Sequence, residues 1–175
     1  VDFADARVSS TLDYSSLVDI GPNTLLQSEE LVSVGSASTL NSSATALADS
    51  KGLGASADAS APITVGSSGD RARTLTQVGN GAVIRGKTVE LDAHVNGLTA
   101  VARADATAAA LGANTDAGAP IDIYNVAEVR LSSGSAVSGR DVGFSADQLG
   151  VSLSSTASAD CDCGFGDADS TARAH

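Results

Sequence analysis

Residues 81–88 read GAVIRGKT and match the phosphate-loop pattern GxxxxGK[ST] at every position. That motif binds nucleotide phosphates through the backbone amides of a flexible loop, which a helix follows at once. Here the loop is Ala-Val-Ile-Arg, which is stiff and apolar, and the VELDAHV that follows alternates like a strand. A downstream copy keeps both glycines, Gly134 and Gly139, but has Arg140 and Asp141 in place of Lys-Thr. We therefore predict that the match is accidental and that the chain binds no nucleotide.

The two cysteines, Cys161 and Cys163, are separated by a single aspartate. Metal ligation usually needs a CxxC spacing and further ligands, and neither is present. In a strand, both cysteines share a face with Ala157 and Ala159. We predict that they are buried small residues; a disulfide between them, or to another chain in an oxidising compartment, is the strained alternative.

Paired aspartates are the remaining candidates for a metal site: Asp160 with Asp162, and Asp167 with Asp169. Each pair projects from one strand face, but two carboxylates are too few for calcium, which takes six to eight oxygen ligands. Adjacent strands would have to supply the rest, so structural calcium stays open as a weak prediction. The isolated histidines His94 and His175 have no nucleophile arranged beside them, and His94 falls on the solvent face. We assign no catalytic or cofactor-binding residue and expect no enzyme.

The composition restricts the classes of partner. The net charge is −11, and 17 Asp but only 4 Glu supply the acidic groups. Such a surface repels phosphates, which argues against nucleic acid as a partner. No apolar run is long enough to cross a membrane, so no membrane insertion is expected. Aromatic residues are 3% and Met and Trp are absent, so alanine must supply most of the core.

Alternation with period two predicts strands through much of the chain. In residues 53–65 every second residue is apolar, and residues 89–93 repeat the pattern as Val-Glu-Leu-Asp-Ala. The alanine-rich segment 100–112 also alternates, with one helical turn expected near 108–111. The side chains predicted to point inward are Leu53, Ile63, Val65, Val89, Leu91, Ile121, Ile123, Val142 and Phe144.

Matching positions recur along the chain at a nearly constant spacing. Val32, Val89 and Val142 match, as do Leu53, Leu111 and Phe165, and the pentapeptide at 61–65 matches the one at 119–123. Such a period indicates a stacked array. We predict one solenoid segment over residues 1–175, with units of approximately 1–20 (partial), 21–78, 79–132 and 133–175. The fold class expected is all-β, a parallel β-helix with a thin, alanine-rich core; an antiparallel β-sandwich is the alternative.

The phrases GAVIRGKTVELDA and GSAVSGRDVGFSA resemble the repeat motif of large secreted bacterial exoproteins of the filamentous haemagglutinin type. The resemblance covers most of residues 21–174, although its motifs are short. It implies a right-handed parallel β-helix, an extracellular or cell-surface location and a role as a shaft or adhesive surface. It carries no catalytic residues to transfer.

We therefore expect a structural or adhesive segment of an extracellular fibre protein. A polysaccharide-binding or polysaccharide-processing β-helix is the alternative. The expected partners are copies of the chain or neighbouring repeats, and cell-surface glycans or proteins are further candidates. Neither terminal stretch carries a cap of the kind that blocks strand edges, so end-to-end joining is expected.

Overall fold

The computed structural model describes residues 1–175, of which 78% lie in strands and none in a helix. The helical turn expected near 108–111 is therefore wrong, because these alanines continue a long strand. No segment is a helix that could cross a membrane. The fourteen strands are β1 (Asp2–Arg7), β2 (Ser10–Leu12), β3 (Ser15–Ile20), β4 (Leu25–Gln27), β5 (Leu31–Lys51), β6 (Gly54–Ser60), β7 (Ile63–Val65), β8 (Ala72–Val78), β9 (Val83–Arg85), β10 (Thr88–Ile123), β11 (Asn125–Leu131), β12 (Ala136–Ser138), β13 (Asp141–Gln148) and β14 (Val151–Ala174).

All strand pairings are parallel, which rules out the antiparallel sandwich. An eight-stranded sheet contains β1, β2, β5, β6, β7, β10, β13 and β14. Two three-stranded sheets have the orders β11-β8-β3 and β12-β9-β4. The chain thus passes the same strand positions in the same order more than once. We call residues 2–51 the first tier, 54–109 the middle tier and 112–163 the last tier; residues 165–174 pair beside the start of the last tier.

The pairing register confirms the spacing predicted from the sequence. Val89 pairs with Val32 on one side and with Val142 on the other. Ile121 pairs with Ile63, as the matching pentapeptides predict. Because every pair is parallel and the register is kept apart from one shift between Val95 and Gly97, most side chains stack on the equivalent position of the neighbouring tier. Backbone amides and carbonyls are satisfied by the neighbouring tier in the same way.

The main hydrophobic cluster consists of fifteen alanines and two isoleucines, Ile63 and Ile121. Its alanines come mainly from β5, β6 and β10, and no hydrogen-bonded ladder joins β5 to β6 although they follow one another along the chain. The two strands therefore pack face to face across the alanines. Since the alanine side chain is a single methyl group, the walls of such a core are expected to lie closer than the roughly 10 Å that separates ordinary packed sheets. The predicted alanine-rich core is confirmed in this cluster, and its thinness stays a prediction.

Larger aliphatic side chains form two smaller clusters, one around Ile84 and Leu91 and the other around Val65 and Leu98. The inward assignment is confirmed for the fully buried Ile63, Val65, Val89, Leu91 and Ile121, and Ile123 is half-buried.

Three of the residues predicted to point inward are exposed. Val142 and Phe144 pair with Val89 and Leu91, yet they are 42% and 52% exposed because no further tier covers them. Leu53 is 80% exposed because it lies in the turn between β5 and β6. Burial at these positions is decided by the neighbouring strand and not by the alternation.

The expected match of Leu53, Leu111 and Phe165 fails at its last member. Phe165 pairs with Gly112 rather than with Leu111, and it is 83% exposed. Leu111 lies within β10 and is 66% exposed. Leu111 and Phe165 are therefore exposed residues of long strands, whereas Leu53 lies in a turn.

Candidate functional site

The backbone amides of the phosphate-loop match are already hydrogen-bonded to neighbouring tiers. Val83, Gly86 and Thr88 donate to carbonyl oxygens of other tiers at 2.7, 3.1 and 2.8 Å. Strand β10 starts at Thr88, as the alternation of VELDAHV predicts. Lys87 Nζ lies 2.8 Å from a carboxylate oxygen of Glu30. These groups are therefore committed to strand pairing and to a surface ion pair.

Cys161 and Cys163 form a disulfide, with their Cα atoms 5.4 Å apart. The prediction of two unpaired buried residues is wrong, and its alternative describes the structure. Both side chains are half-buried and pack against the alanine cluster, where they stack on Ala108 and Ala110. The strand face shared with Ala157 is confirmed. It places the two sulfurs side by side at a position that no further tier covers.

The four calcium candidates lie on β14 and do not converge. Asp160, Asp162 and Asp167 pair with Thr107, Ala109 and Asn114, none of which is acidic. No group of three or more His, Cys, Asp or Glu side chains has the spacing of a metal site. Calcium binding stays a prediction from sequence alone.

Asp169 instead belongs to a column of four aspartates. Asp5 pairs with Asp58, Asp58 with Asp116, and Asp116 with Asp169. Neighbouring parallel strands are about 4.8 Å apart, so like charges are stacked at close intervals on the solvent side of the alanine core. The sequence signal is an Asp that is flanked by small residues and recurs with the period of the tiers. The alternation within one strand does not reveal the column, because only the register places the four residues side by side.

His94 lies on the solvent side of its strand, as predicted, but it is more enclosed than a solvated residue. Its side chain is 30% exposed and sits between Asp92, with Nε2–Oδ1 3.9 Å, and Asp147, with Nδ1–Oδ2 3.6 Å. Nδ1 is buried and has no hydrogen-bond partner. The nearby Ser145 hydroxyl donates to Asp147. This arrangement gives His94 a carboxylate on each side.

The outer strands leave two open edges. Strands β1 to β5 pair only on the side of the middle tier, and β11 to β14 pair only on the opposite side. Strands β6 to β10 have partners on both sides. Each outer edge therefore presents backbone donors and acceptors without a strand partner, which is the arrangement that recruits further strands.

A cavity of about 500 Å³ lies where the first and middle tiers meet. Its lining residues are Asp13, Tyr14, Ser15, Asp70, Arg71 and Arg73. Seven of the ten Lys and Arg residues lie within 4.0 Å of an acidic group, whereas Arg71, Arg73 and Arg85 do not. Two of these three arginines line this one cavity. Sequence reasoning missed the cavity because Asp13 and Arg71 are far apart along the chain, and only the register brings them together.

The strands define an all-β protein with parallel sheets. Comparison with protein-family models, curated proteins and solved structures finds no match to this chain. The features of the structure that bear on function are the open edges, the charged surface and the cavity.

Proposed function

We propose that this chain is a structural or adhesive segment of a secreted bacterial fibre or cell-surface protein, and that its tiers form a parallel β-helix that stacks end to end. The observation that carries the proposal is the pair of open edges. Strands β3, β8 and β11 occupy one position in successive tiers, and β4, β9 and β12 occupy the next. Because both edges present the same positions in the same order, a further tier meets a matching set of strands on either side.

The packing of the last tier also favours a further tier. Val142 and Phe144 occupy the positions at which Val89 and Leu91 are completely buried. Covering these side chains with a further tier removes apolar surface from water, which stabilises the assembly by about 25 cal/mol per Å² of apolar surface buried. An unpaired edge with exposed apolar side chains is a typical template for strand addition. The edge thus offers hydrogen bonds and apolar burial to the same partner.

One feature supports an extracellular location, because the disulfide between Cys161 and Cys163 is of a kind that persists in oxidising compartments. The net charge of −11 favours solubility. The aspartate column places part of that charge on the face beside the alanine core.

The test is light scattering of the full chain over a concentration series, with electron microscopy of the concentrated sample. The expected result is a mass that rises with concentration and short filaments whose long axis follows the tiers. Phe144→Lys places a charge where the next tier would cover it, so this variant should stay monomeric. Ser145→Lys adds the same charge on the opposite face of the same strand and should assemble like the parent.

A parent chain that stays monomeric at every concentration, with the circular dichroism of a β protein, would refute stacking through these edges. Equal assembly of the two lysine variants would show that association uses another surface. Both measurements are made on folded protein, so loss of structure is recognised separately by circular dichroism.

A further inference from the structure

The loop at residues 66–71 is an insertion confined to the middle tier. On the side of the first tier, Leu12 pairs with Val65 and Ser15 pairs with Arg73, so the middle tier takes a longer path between the same two positions. On the side of the last tier, the pairing of β7 with β10 and of β8 with β11 shows the same difference. The middle tier therefore has five more residues here than either neighbour. Insertions in stacked architectures map to loops on one face, which is often the binding face.

This loop is held in a defined conformation. Gly66 begins it with φ +63°, and a Cβ there would collide with the carbonyl oxygen of Tyr124 and lie 2.6 Å from the amide nitrogen of Ala72. Only glycine fits such a position. Within the loop, the Ser67 amide donates to the Asp70 carbonyl at 2.7 Å, and the Asp70 amide donates to the Ser67 hydroxyl at 2.8 Å. The loop thus forms a fixed wall of the cavity.

The cavity holds charges of both signs that do not pair with each other. Asp13 and Asp70 supply two carboxylates, Arg71 and Arg73 supply two guanidinium groups, and no pair among them lies within 4.0 Å. Apart from Arg85, every other Lys and Arg side chain is paired with an acidic neighbour. A ligand that offers one anionic group and several hydroxyl donors would satisfy both sets of charges at once. The volume of about 500 Å³ suits a small ligand or one or two sugar rings.

We propose that this cavity binds a carboxylate-bearing sugar, such as a uronic acid unit of an acidic polysaccharide. The guanidinium forks of Arg71 and Arg73 match a carboxylate in the two-pronged geometry that arginine favours. Asp13 and Asp70 accept hydrogen bonds from the sugar hydroxyls. The ring of Tyr14 is the one apolar wall and packs against the C–H face of the sugar.

Phosphate chains are the less suitable ligand. They lack hydroxyl donors for Asp13 and Asp70, and the protein's net charge of −11 repels their high negative charge density. A uronic acid carries one charge per ring and several hydroxyl groups, so it fits the mixed lining. The site belongs to the lateral surface and does not depend on end-to-end stacking.

The experiment is isothermal titration calorimetry of the full chain with a galacturonic acid trimer and with the matched neutral galactose trimer. Saturable binding of the acidic trimer alone is expected. The double variant Arg71→Gln/Arg73→Gln should weaken that binding by about tenfold or more, because each lost hydrogen bond to a charged group is a strong one. The control is Arg85→Gln, which removes the third unpaired arginine outside the cavity and should bind like the parent.

Three results would overturn the proposal: no saturable binding by the parent, equal binding of the neutral trimer, or unchanged binding by the double variant. Deletion of residues 66–70 is a second test, because it restores the shorter path found in the neighbouring tiers. A folded deletion variant should lose binding, and retained binding would contradict the proposed site. Light scattering of the double variant should match the parent, so a failure of this site is distinguishable from a failure of stacking.

Discussion

Replacing Ala104 by leucine tests how closely the alanine walls pack. Ala104 is fully buried in β10, where it pairs with Ala46 of the first tier and Ala157 of the last tier. All three belong to or pack against the same alanine cluster. Leucine adds three carbon atoms to this position, and the cluster around it is built almost entirely of methyl groups, which have no flexible side chain to move aside.

The sign of the change in the free energy of unfolding distinguishes a close-packed core from a loosely packed one. In a slack gap, burying three further carbons would stabilise the protein by about 2.4 kcal/mol at about 0.8 kcal/mol each. In a close-packed gap, overpacking costs about 1–3 kcal/mol. We expect Ala104→Leu to lower the free energy of unfolding by about 3 kcal/mol, at the upper end, because tiers on both sides hold the strand in place. A chain of this size loses about 2–4 °C per kcal/mol, so Tm should fall by about 6–12 °C.

Urea denaturation followed by circular dichroism measures the free energy of unfolding, and calorimetry measures Tm. Thr107→Leu is the control, since it enlarges an exposed side chain of the same strand. Its free energy of unfolding should stay within about 0.5 kcal/mol of the parent. If Ala104→Leu is as stable as the parent or more stable, the core is not thin and the face-to-face packing is wrong.

Three further substitutions test the register, the surface and the loop. Val89→Asp buries a charge without a partner and should lower the free energy of unfolding, measured in urea, by several kcal/mol. Val142→Asp is at the same register position but 42% exposed, so it should lower the free energy of unfolding much less. Equal losses would contradict the finding that no further tier covers Val142. Lys87→Ala removes one exposed ion pair and should change the free energy of unfolding by less than about 1 kcal/mol, and no nucleotide should raise Tm; saturable ATP binding that this substitution abolishes would contradict the prediction. Gly66→Ala should lower Tm, because the added Cβ has no room and φ is positive at this position. Gly118→Ala should leave Tm unchanged, because the space around Gly118 is open. Equal Tm values for the two variants would show that the loop is not held in the conformation described.

Much of the fold could be predicted from the sequence because the strand signal is repeated. Alternation places Val89 and Leu91 on one face, and the recurrence of Val32, Val89 and Val142 predicts the register in which they pair. The high helix propensity of alanine led to one wrong prediction, the helical turn near 108–111. There β10 is bonded to neighbouring strands, and those ladders override a preference of a few tenths of a kcal/mol per residue.

Little of the candidate site could be predicted in the same way. Asp13 and Arg71 carry no local motif, and they share a cavity only because a five-residue insertion follows Val65 in the middle tier. The aspartate column also depends on the register, since each member is an ordinary surface residue of its own strand.

The sequence by itself determined the all-β character, the period of the tiers, the small side chains of the core and the acidic surface. Each of these follows from local alternation, recurrence or composition, which a chain carries wherever it lies. Only the tertiary structure decided that Val89 is buried while Val142 is exposed, although both occupy the same position of the pattern. The physical reason is that burial and charge pairing depend on which strand lies next to a residue. In a stacked arrangement that neighbour comes from a distant segment of the chain.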